Sequence, residues 1–224
     1  MPYLRLQIGG GESQNKSAPS QQYTFGIKEP KTGGFIGGEF GVGGASARIA
    51  YANGNNGVTA GSNLGYAVVP LNVFGGYQWY FYDRPHYAFG IRVRGHIGYT
   101  NYNATIKRQN SVSLTSNAIQ YGAEAQIVWD FLDYEAHTIG LHFAPLGFEG
   151  STFFGKAKTN GVTYDLDSHS DFAFTISIGL HYYYAINHQV SATYKYRTYS
   201  ERVNTNKFYS VATSVFMLGY AYKF

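Results

Sequence analysis

The chain has 224 residues, a formal net charge of +4 and no cysteine, and only 13% of its residues are charged. This length is enough for one sizeable core, and the absence of cysteine excludes disulfides and thiolate metal sites. The low share of charged residues, about half that of an ordinary soluble domain, predicts a surface poorly solvated by water. Basic residues are scattered rather than clustered, so we expect no nucleic-acid partner.

The first 34 residues show no sustained alternation of apolar and polar side chains and contain Gly9 to Gly11, Pro19 and Pro30. We therefore predict an irregular N-terminal arm over residues 1–34. Residues 35–224, where alternation is found, are expected to form a β-barrel.

Eight segments follow in which side chains alternate with the period of two that is typical of β-strands. They are residues 35–52, 66–82, 87–99, 119–131, 137–152, 172–182, 190–197 and 208–224. Glycine is dense between Gly37 and Gly44, which permits a bulge and leaves the facing of residues 35–52 open. No apolar stretch approaches 18 residues, so a transmembrane helix is excluded.

The connections between these segments alternate between short and long. Turns after Phe81, Phe131 and Tyr184 are short, whereas long polar connections are expected over residues 53–63, 101–116, 150–170 and 198–207. This alternation is typical of membrane barrels with short periplasmic turns and long extracellular loops. We predict an all-β protein, a single eight-stranded antiparallel up-and-down transmembrane β-barrel in a bacterial outer membrane.

The larger apolar row of each segment is expected to face lipid, because the opposite row is rich in small residues that suit a narrow interior. Aromatic residues gather where segments meet the short turns, as in an interfacial girdle. The predicted interfacial aromatic residues are Trp79, Phe81, Trp129, Phe131 and Tyr182.

The polar row places charged side chains inside the barrel. The predicted interior charges are Glu39, Arg92, Arg94, Glu124, Asp130, Lys195 and Arg197. Four cations against three anions are nearly balanced, and such groups are stable in a low-dielectric space only when they pair. Pairing would close the bore.

The last residues alternate up to a terminal phenylalanine. This pattern resembles the terminal signature of bacterial outer-membrane barrels, and the resemblance implies recognition by the barrel-assembly machinery. The residues of this signature are Phe216, Leu218, Tyr220, Tyr222 and Phe224.

Several aromatic motifs carry a closer resemblance: residues 75–81 (GGYQWYF), 89–92 (FGIR), 208–210 (FYS) and 219–224 (GYAYKF). These segments look like the barrel segments of the Helicobacter-type outer-membrane protein family. Members of that family include small porins and adhesins, and the adhesins carry large extracellular additions with paired cysteines. This chain has neither.

Two groups of residues in the expected extracellular loops are candidate binding sites. Phosphates of lipopolysaccharide are candidate partners for Lys107, Arg108, Lys156, Lys158, Arg202 and Lys207, against the alternative that these charges only solvate the loops. In an extended chain, Asp165, Asp167, His169 and Asp171 would project to one side, which suits a divalent cation, against the alternative of a solvated loop. We expect no other cofactor.

Together these patterns predict a non-enzymatic outer-membrane barrel that presents loops for envelope structure, lipid contact or binding of a surface or envelope protein. A narrow channel is the alternative. A lipid-modifying enzyme is the second alternative, and the sequence offers it no catalytic set.

Overall fold

A computed structural model describes residues 31–53, 57–84, 87–106, 112–134, 136–159, 162–204 and 207–224. The predicted arm lies outside these residues except for its last four, of which Gly33 and Gly34 already belong to the first strand. No helix long and apolar enough to cross a membrane occurs in the described part of the chain.

Eight antiparallel strands close into one barrel in sequence order, with β1 paired to β8. Their bounds are β1 Gly33–Asn53, β2 Gly57–Arg84, β3 Tyr87–Ile106, β4 Val112–Tyr134, β5 His137–Thr159, β6 Val162–Tyr184, β7 His188–Asn204 and β8 Lys207–Lys223. The predicted fold class is therefore confirmed. Closure pairs every strand with a neighbour on each side, which is the condition for a sheet to stand in hydrocarbon.

The predicted long loops are wrong for most of their length, because the strands continue through them. The strands are 17 to 28 residues long, whereas about 9 to 11 residues suffice to cross a bilayer. The excess lies mainly at the end of the barrel where β1–β2, β3–β4, β5–β6 and β7–β8 join, which we call the hairpin end. Polar residues there continue the ladder because backbone pairing needs no apolar side chain.

The outer face carries the large apolar side chains, as predicted. On β3 every second residue from Tyr87 to Tyr99 is exposed, while Arg92, Arg94 and His96 between them are buried. At a rise of about 3.4 Å per residue and a tilt of about 45°, this stretch covers roughly 29 Å along the membrane normal. That height matches the hydrocarbon thickness of a bilayer.

At the opposite end, which we call the turn end, β2 joins β3, β4 joins β5 and β6 joins β7. The β6–β7 turn holds Ala185 and Ile186 at φ angles of 51° and 67°. The turn is fixed by hydrogen bonds from the Ala185 N–H to the Ala136 carbonyl and from the Lys223 N–H to the Asn187 carbonyl. These bonds lock the turn against both neighbouring strand ends.

Candidate functional site

The barrel interior is filled by polar and charged side chains, which fit because glycines stand beside them. A Cβ on Gly98 would overlap with the Asn72 side chain, and one on Gly147 would press on Thr175 and lie 3.1 Å from the Glu124 Cβ. Eight strands leave an interior only wide enough for side chains. The small residues of the polar row therefore make room for the long ones.

Arg94 lies at the centre of the interior between two carboxylates. Its Nη2 is 2.6 Å from Glu39 Oε1, and its Nε is 3.0 Å from Glu124 Oε1. Arg94 and Glu124 face each other directly in the β3–β4 register, and the Asn72 amide also donates to Glu39 at 2.9 Å. All these side chains are buried.

Toward the hairpin end, Glu149 joins this network. Its carboxylate lies 3.4 Å from Lys195 Nζ, 3.4 Å from Arg197 Nε and 3.1 Å from His96 Nε2. Lys195 also lies 3.7 Å from Glu124. One connected set of charges thus runs from Glu39 to Arg197.

Toward the turn end, Arg92 is held by neutral groups. Its guanidinium donates to the Gln78 side-chain oxygen, to Gln126 at 3.2 Å and to the Tyr183 hydroxyl at 2.7 Å. Tyr183 also donates to Gln78 at 2.9 Å. The buried guanidinium of Arg92 is therefore stabilised by hydrogen bonds to amide and phenol oxygens rather than by a carboxylate.

Lys31, just before β1, occupies the interior at the turn end. Its ammonium lies 2.7 Å from Asp130, 3.0 Å from Asp133 and 3.9 Å from Asp83. Its carbonyl accepts a hydrogen bond from the Gln78 amide at 2.7 Å. Burial alone would lower the pKa of the Lys31 ammonium, but Asp130 and Asp133 more than offset burial and leave that pKa above its ordinary value.

Three histidines also face the interior and each bonds a neighbour through Nε2. His96 pairs with Glu149 at 3.1 Å, His181 with Asp130 at 2.8 Å and His142 with the Thr193 hydroxyl at 2.9 Å. The rings of His142 and His181 stack with centroids 5.8 Å apart. These contacts link the Lys31 cluster at the turn end to the middle of the barrel.

The charges of the described interior are balanced. Six buried cations face six buried anions: Lys31, Arg92, Arg94, Lys195, Arg197 and Lys223 against Glu39, Glu124, Asp130, Asp133, Glu149 and Asp171. All seven predicted interior charges are in this set.

An apolar cluster fills part of the interior toward the hairpin end. The rings of Tyr102 and Phe153 are tilted against each other with centroids 5.6 Å apart, and Val68, Val215 and Met217 pack with them. Near the turn end, the small cavity beside Lys31 and Tyr183 has no space for a water molecule. The interior is thus packed at both ends.

Sequence reasoning missed Lys31 and Glu149. The sequence predicts Lys31 to lie in the irregular arm, and no local pattern indicates that a residue outside the strands enters the barrel. The interior position of Glu149 is not predicted by simple alternation, because a register shift between Ala144 and Gly147 exchanges the residues that face the interior for those that face outward. Pro145 within an otherwise alternating segment was the available signal for that bulge.

The predicted lipid-facing residues lie on the outer face. Trp79, Phe81, Trp129 and Phe131 are exposed near the turn end, and Tyr182 accepts or donates a hydrogen bond with His137 Nδ1 at 2.6 Å. The residues of the terminal signature, Phe216, Leu218, Tyr220, Tyr222 and Phe224, are all exposed on or directly after β8. The Phe224 N–H donates to the Gly34 carbonyl at 3.0 Å.

The candidate lipopolysaccharide contacts lie at the hairpin end where the structure describes them. Lys156 is exposed and lies 3.6 Å from Asp165. Lys158, Arg202 and Lys207 are on β5, β7 and β8, although their side chains lie outside the described part, and Lys107 and Arg108 lie outside the described residues.

Asp165 and Asp171, two of the four predicted cation ligands, lie on opposite faces of β6. A register shift in β6 opposite Phe154 reverses the facing, so that Asp165 is exposed while Asp171 is buried. The side chains of Asp167 and His169 lie outside the described part. Among the side chains that are described, no group of three or more His, Asp or Glu residues has the arrangement of a metal site.

Comparison with solved structures finds several outer-membrane barrels. Neisserial surface protein A (NspA) is 17% identical, with 85% of this chain and 97% of NspA covered and a TM-score of 0.39. OprG of Pseudomonas aeruginosa is 14% identical, with coverages of 89% and 99% and a TM-score of 0.43. The outer membrane protease OmpT of Escherichia coli is 8% identical, with coverages of 85% and 97% and a TM-score of 0.39.

Comparison with curated proteins finds no match. The sequence profile described as Helicobacter outer membrane protein matches residues 72–224, which is more than half of the chain and runs from β2 to the end of β8. The resemblance of the aromatic motifs is thereby confirmed. The chain belongs to the Helicobacter outer membrane protein family and is an integral β-barrel protein of the bacterial outer membrane.

Proposed function

We propose that this protein is a closed, non-enzymatic barrel that anchors its extended hairpins at the cell surface for envelope structure, lipid contact or partner binding. The observation that carries the proposal is the interior, where six cations and six anions are buried together with an apolar cluster. The hairpin end would face outward and the turn end the periplasm.

Pairing is the reason that such an interior stays closed. Arg94 bridges Glu39 and Glu124, and separating it from either carboxylate would leave a buried charge without compensation. Breaking a buried pair by removing one partner costs about 3 to 5 kcal/mol. A water-filled path past Arg94 therefore requires several such contacts to open together.

Surface partners are proposed from position and charge. The hairpin end carries the exposed Lys156 together with Lys158 on the same strand, Arg202 on β7 and Lys207 on β8. Phosphate groups of lipopolysaccharide suit ammonium and guanidinium groups at that level. During biogenesis, the barrel-assembly machinery would read the exposed row that ends at Phe224.

The non-enzymatic part of the proposal is supported by the positions of the three histidines that face the interior. His96, His142 and His181 are buried inside the barrel and bonded to Glu149, Thr193 and Asp130. A lipid or peptide substrate outside the wall has no path to them. Incubation of the purified protein with lipopolysaccharide should leave the lipid A mass spectrum unchanged, and loss or gain of an acyl chain would refute this part.

A narrow channel is the second candidate, because a polar column runs from Lys31 to Arg197. Purified protein in planar bilayers separates the two functions. We expect no steady conductance from the wild type, and openings that appear or lengthen with Glu124→Ala or Arg94→Ala. Lys156→Ala, which removes an exposed charge, is the control and should stay silent. Large, steady conductance of the wild type would refute the closed barrel and favour the channel.

A further inference from the structure

The lipid-facing wall of the barrel contains an apolar groove that crosses five strands from β7 to β3. It has a volume of about 680 Å³. The groove is made of three successive cross-strand rows, two of which form its walls while the third forms its floor.

The lower wall is the row that contains Gly38. Strand pairing aligns Val190, Tyr220, Gly38, Val73 and Ile97 in this order across β7, β8, β1, β2 and β3. Every member except Gly38 projects a large apolar or aromatic side chain outward. Gly38 therefore leaves a gap in the middle of the wall.

The upper wall is the row two residues further along each strand. It aligns Leu218, Phe40, Leu71 and Tyr99, all exposed. The floor between the walls is backbone, because the side chain of Glu39 in the intervening row points into the barrel toward Arg94. The groove is thus closed below and open only to the membrane.

The dimensions of the groove select its occupant. Its walls are two residues apart along a strand, or about 7 Å, and five strands at about 4.8 Å spacing give it a length of about 19 Å. An α-helix with its side chains is about 10 to 12 Å across and cannot enter a groove of that width. A single polymethylene chain can.

We infer that this groove is a binding site for one acyl chain of a membrane lipid, which lies across β7 to β3 with its methylene groups over Gly38. The groove is continuous with the band of outer-face residues that contacts the hydrocarbon core, so a lipid chain reaches it without leaving the bilayer. Its apolar walls bury that chain on three sides, whereas a flat stretch of the barrel wall buries it on one. The inference does not depend on whether the barrel conducts.

The test uses the full chain folded in vesicles that contain phosphatidylethanolamine with a diazirine on one acyl chain. After illumination, mass spectrometry should find label enriched at Leu71 and Val73 relative to Ile176, which is exposed on β6 at the opposite side of the barrel. Gly38→Leu should occupy the gap over Gly38 in which the acyl chain is inferred to lie, and so lower labelling to the Ile176 level. A Cβ at Gly38 has the Asn72 carbonyl oxygen at 3.6 Å as its nearest atom, so the wall accepts the new side chain.

Gly44→Leu is the matched control. Gly44 is also on β1 and faces outward, and a Cβ there would lie 3.7 Å from the Tyr66 carbonyl oxygen. This variant should label like the wild type. Gly38→Ala adds one carbon only and should lower the enrichment partially, which keeps the test open if the leucine variant folds poorly.

Equal labelling of Leu71, Val73 and Ile176 in the wild type would overturn the inference. So would enrichment that survives Gly38→Leu in folded barrels. A photoreactive amino acid in place of Val73 should give lipid adducts, and a product of twice the chain mass would instead assign the groove to a second copy of this chain.

Discussion

Replacement of Lys31 by methionine keeps most of the side-chain volume and removes its charge from the turn end of the interior. Lys31, Asp130 and Asp133 have side-chain exposures of 3%, 0% and 2%, with the ammonium 2.7 and 3.0 Å from the two carboxylates. Without it, both carboxylates remain buried but lose their contact with the Lys31 ammonium. We expect Lys31→Met to lower the free energy of unfolding by about 3 to 5 kcal/mol.

The measurement is urea unfolding in phospholipid vesicles, followed by the fluorescence of the outward-facing Trp79 and Trp129. Lys156→Met is the matched control, because its pair with Asp165 is 69% and 83% exposed and should contribute less than about 1 kcal/mol. The double variant Lys31→Met with Asp133→Asn should recover part of the loss, since it removes one of the two buried carboxylates that lie within 3.0 Å of the Lys31 ammonium. If Lys31→Met unfolded like the Lys156→Met control, Lys31 would not be held in the interior as described.

Three further predictions concern topology, assembly and packing. Cysteine introduced at Asn110 or Asn160 should react with an impermeant reagent on whole cells, whereas cysteine at Asn187 in the β6–β7 turn should not. The reverse pattern would show that the turn end faces outside the cell. Phe224→Ala should reduce the amount of barrel in the membrane far more than it lowers the stability of the folded protein, because burial of one edge aromatic contributes only about 1.5 to 3 kcal/mol. If the variant reached the membrane in the same amount as the wild type, Phe224 would not act as an assembly signal. Gly98→Ala, whose Cβ would overlap with Asn72, should destabilise the barrel by about 1 to 3 kcal/mol in urea unfolding. Gly95→Ala on the outer face should have little effect, and equal effects of the two variants would contradict an inward Gly98 and an outward Gly95.

The charged interior explains a feature of the composition. A protein with 13% charged residues still places twelve of them inside the barrel, where water cannot solvate them. Buried ion pairs are weak sources of net stability, because desolvation offsets most of their attraction. Their effect here is to make the interior specific: Arg94 fits only where Glu39 and Glu124 converge, so neighbouring strands are held in one register.

The barrel was predictable because a period of two is a local property. On β3 and β4 each residue alternates between a lipid-facing and an interior position, and the alternation alone identifies Arg94 and Glu124 as interior neighbours on a hairpin. Strand ends were less predictable. The hairpins continue through polar residues such as those around Asn101, where the backbone still pairs but hydropathy no longer marks the strand.

Period-two alternation and the clustered aromatic residues by themselves determined that this chain forms an outer-membrane barrel with a charged interior. Each of these signals is local, because lipid contacts one face of every strand. Only the tertiary structure decided which charges meet: Arg94 reaches Glu39 across 55 positions and Lys31 reaches Asp130 across 99. Such partners are set by strand register, by bulges such as that at Pro145, and by the path of Lys31 into the barrel, and these depend on closure of the whole sheet.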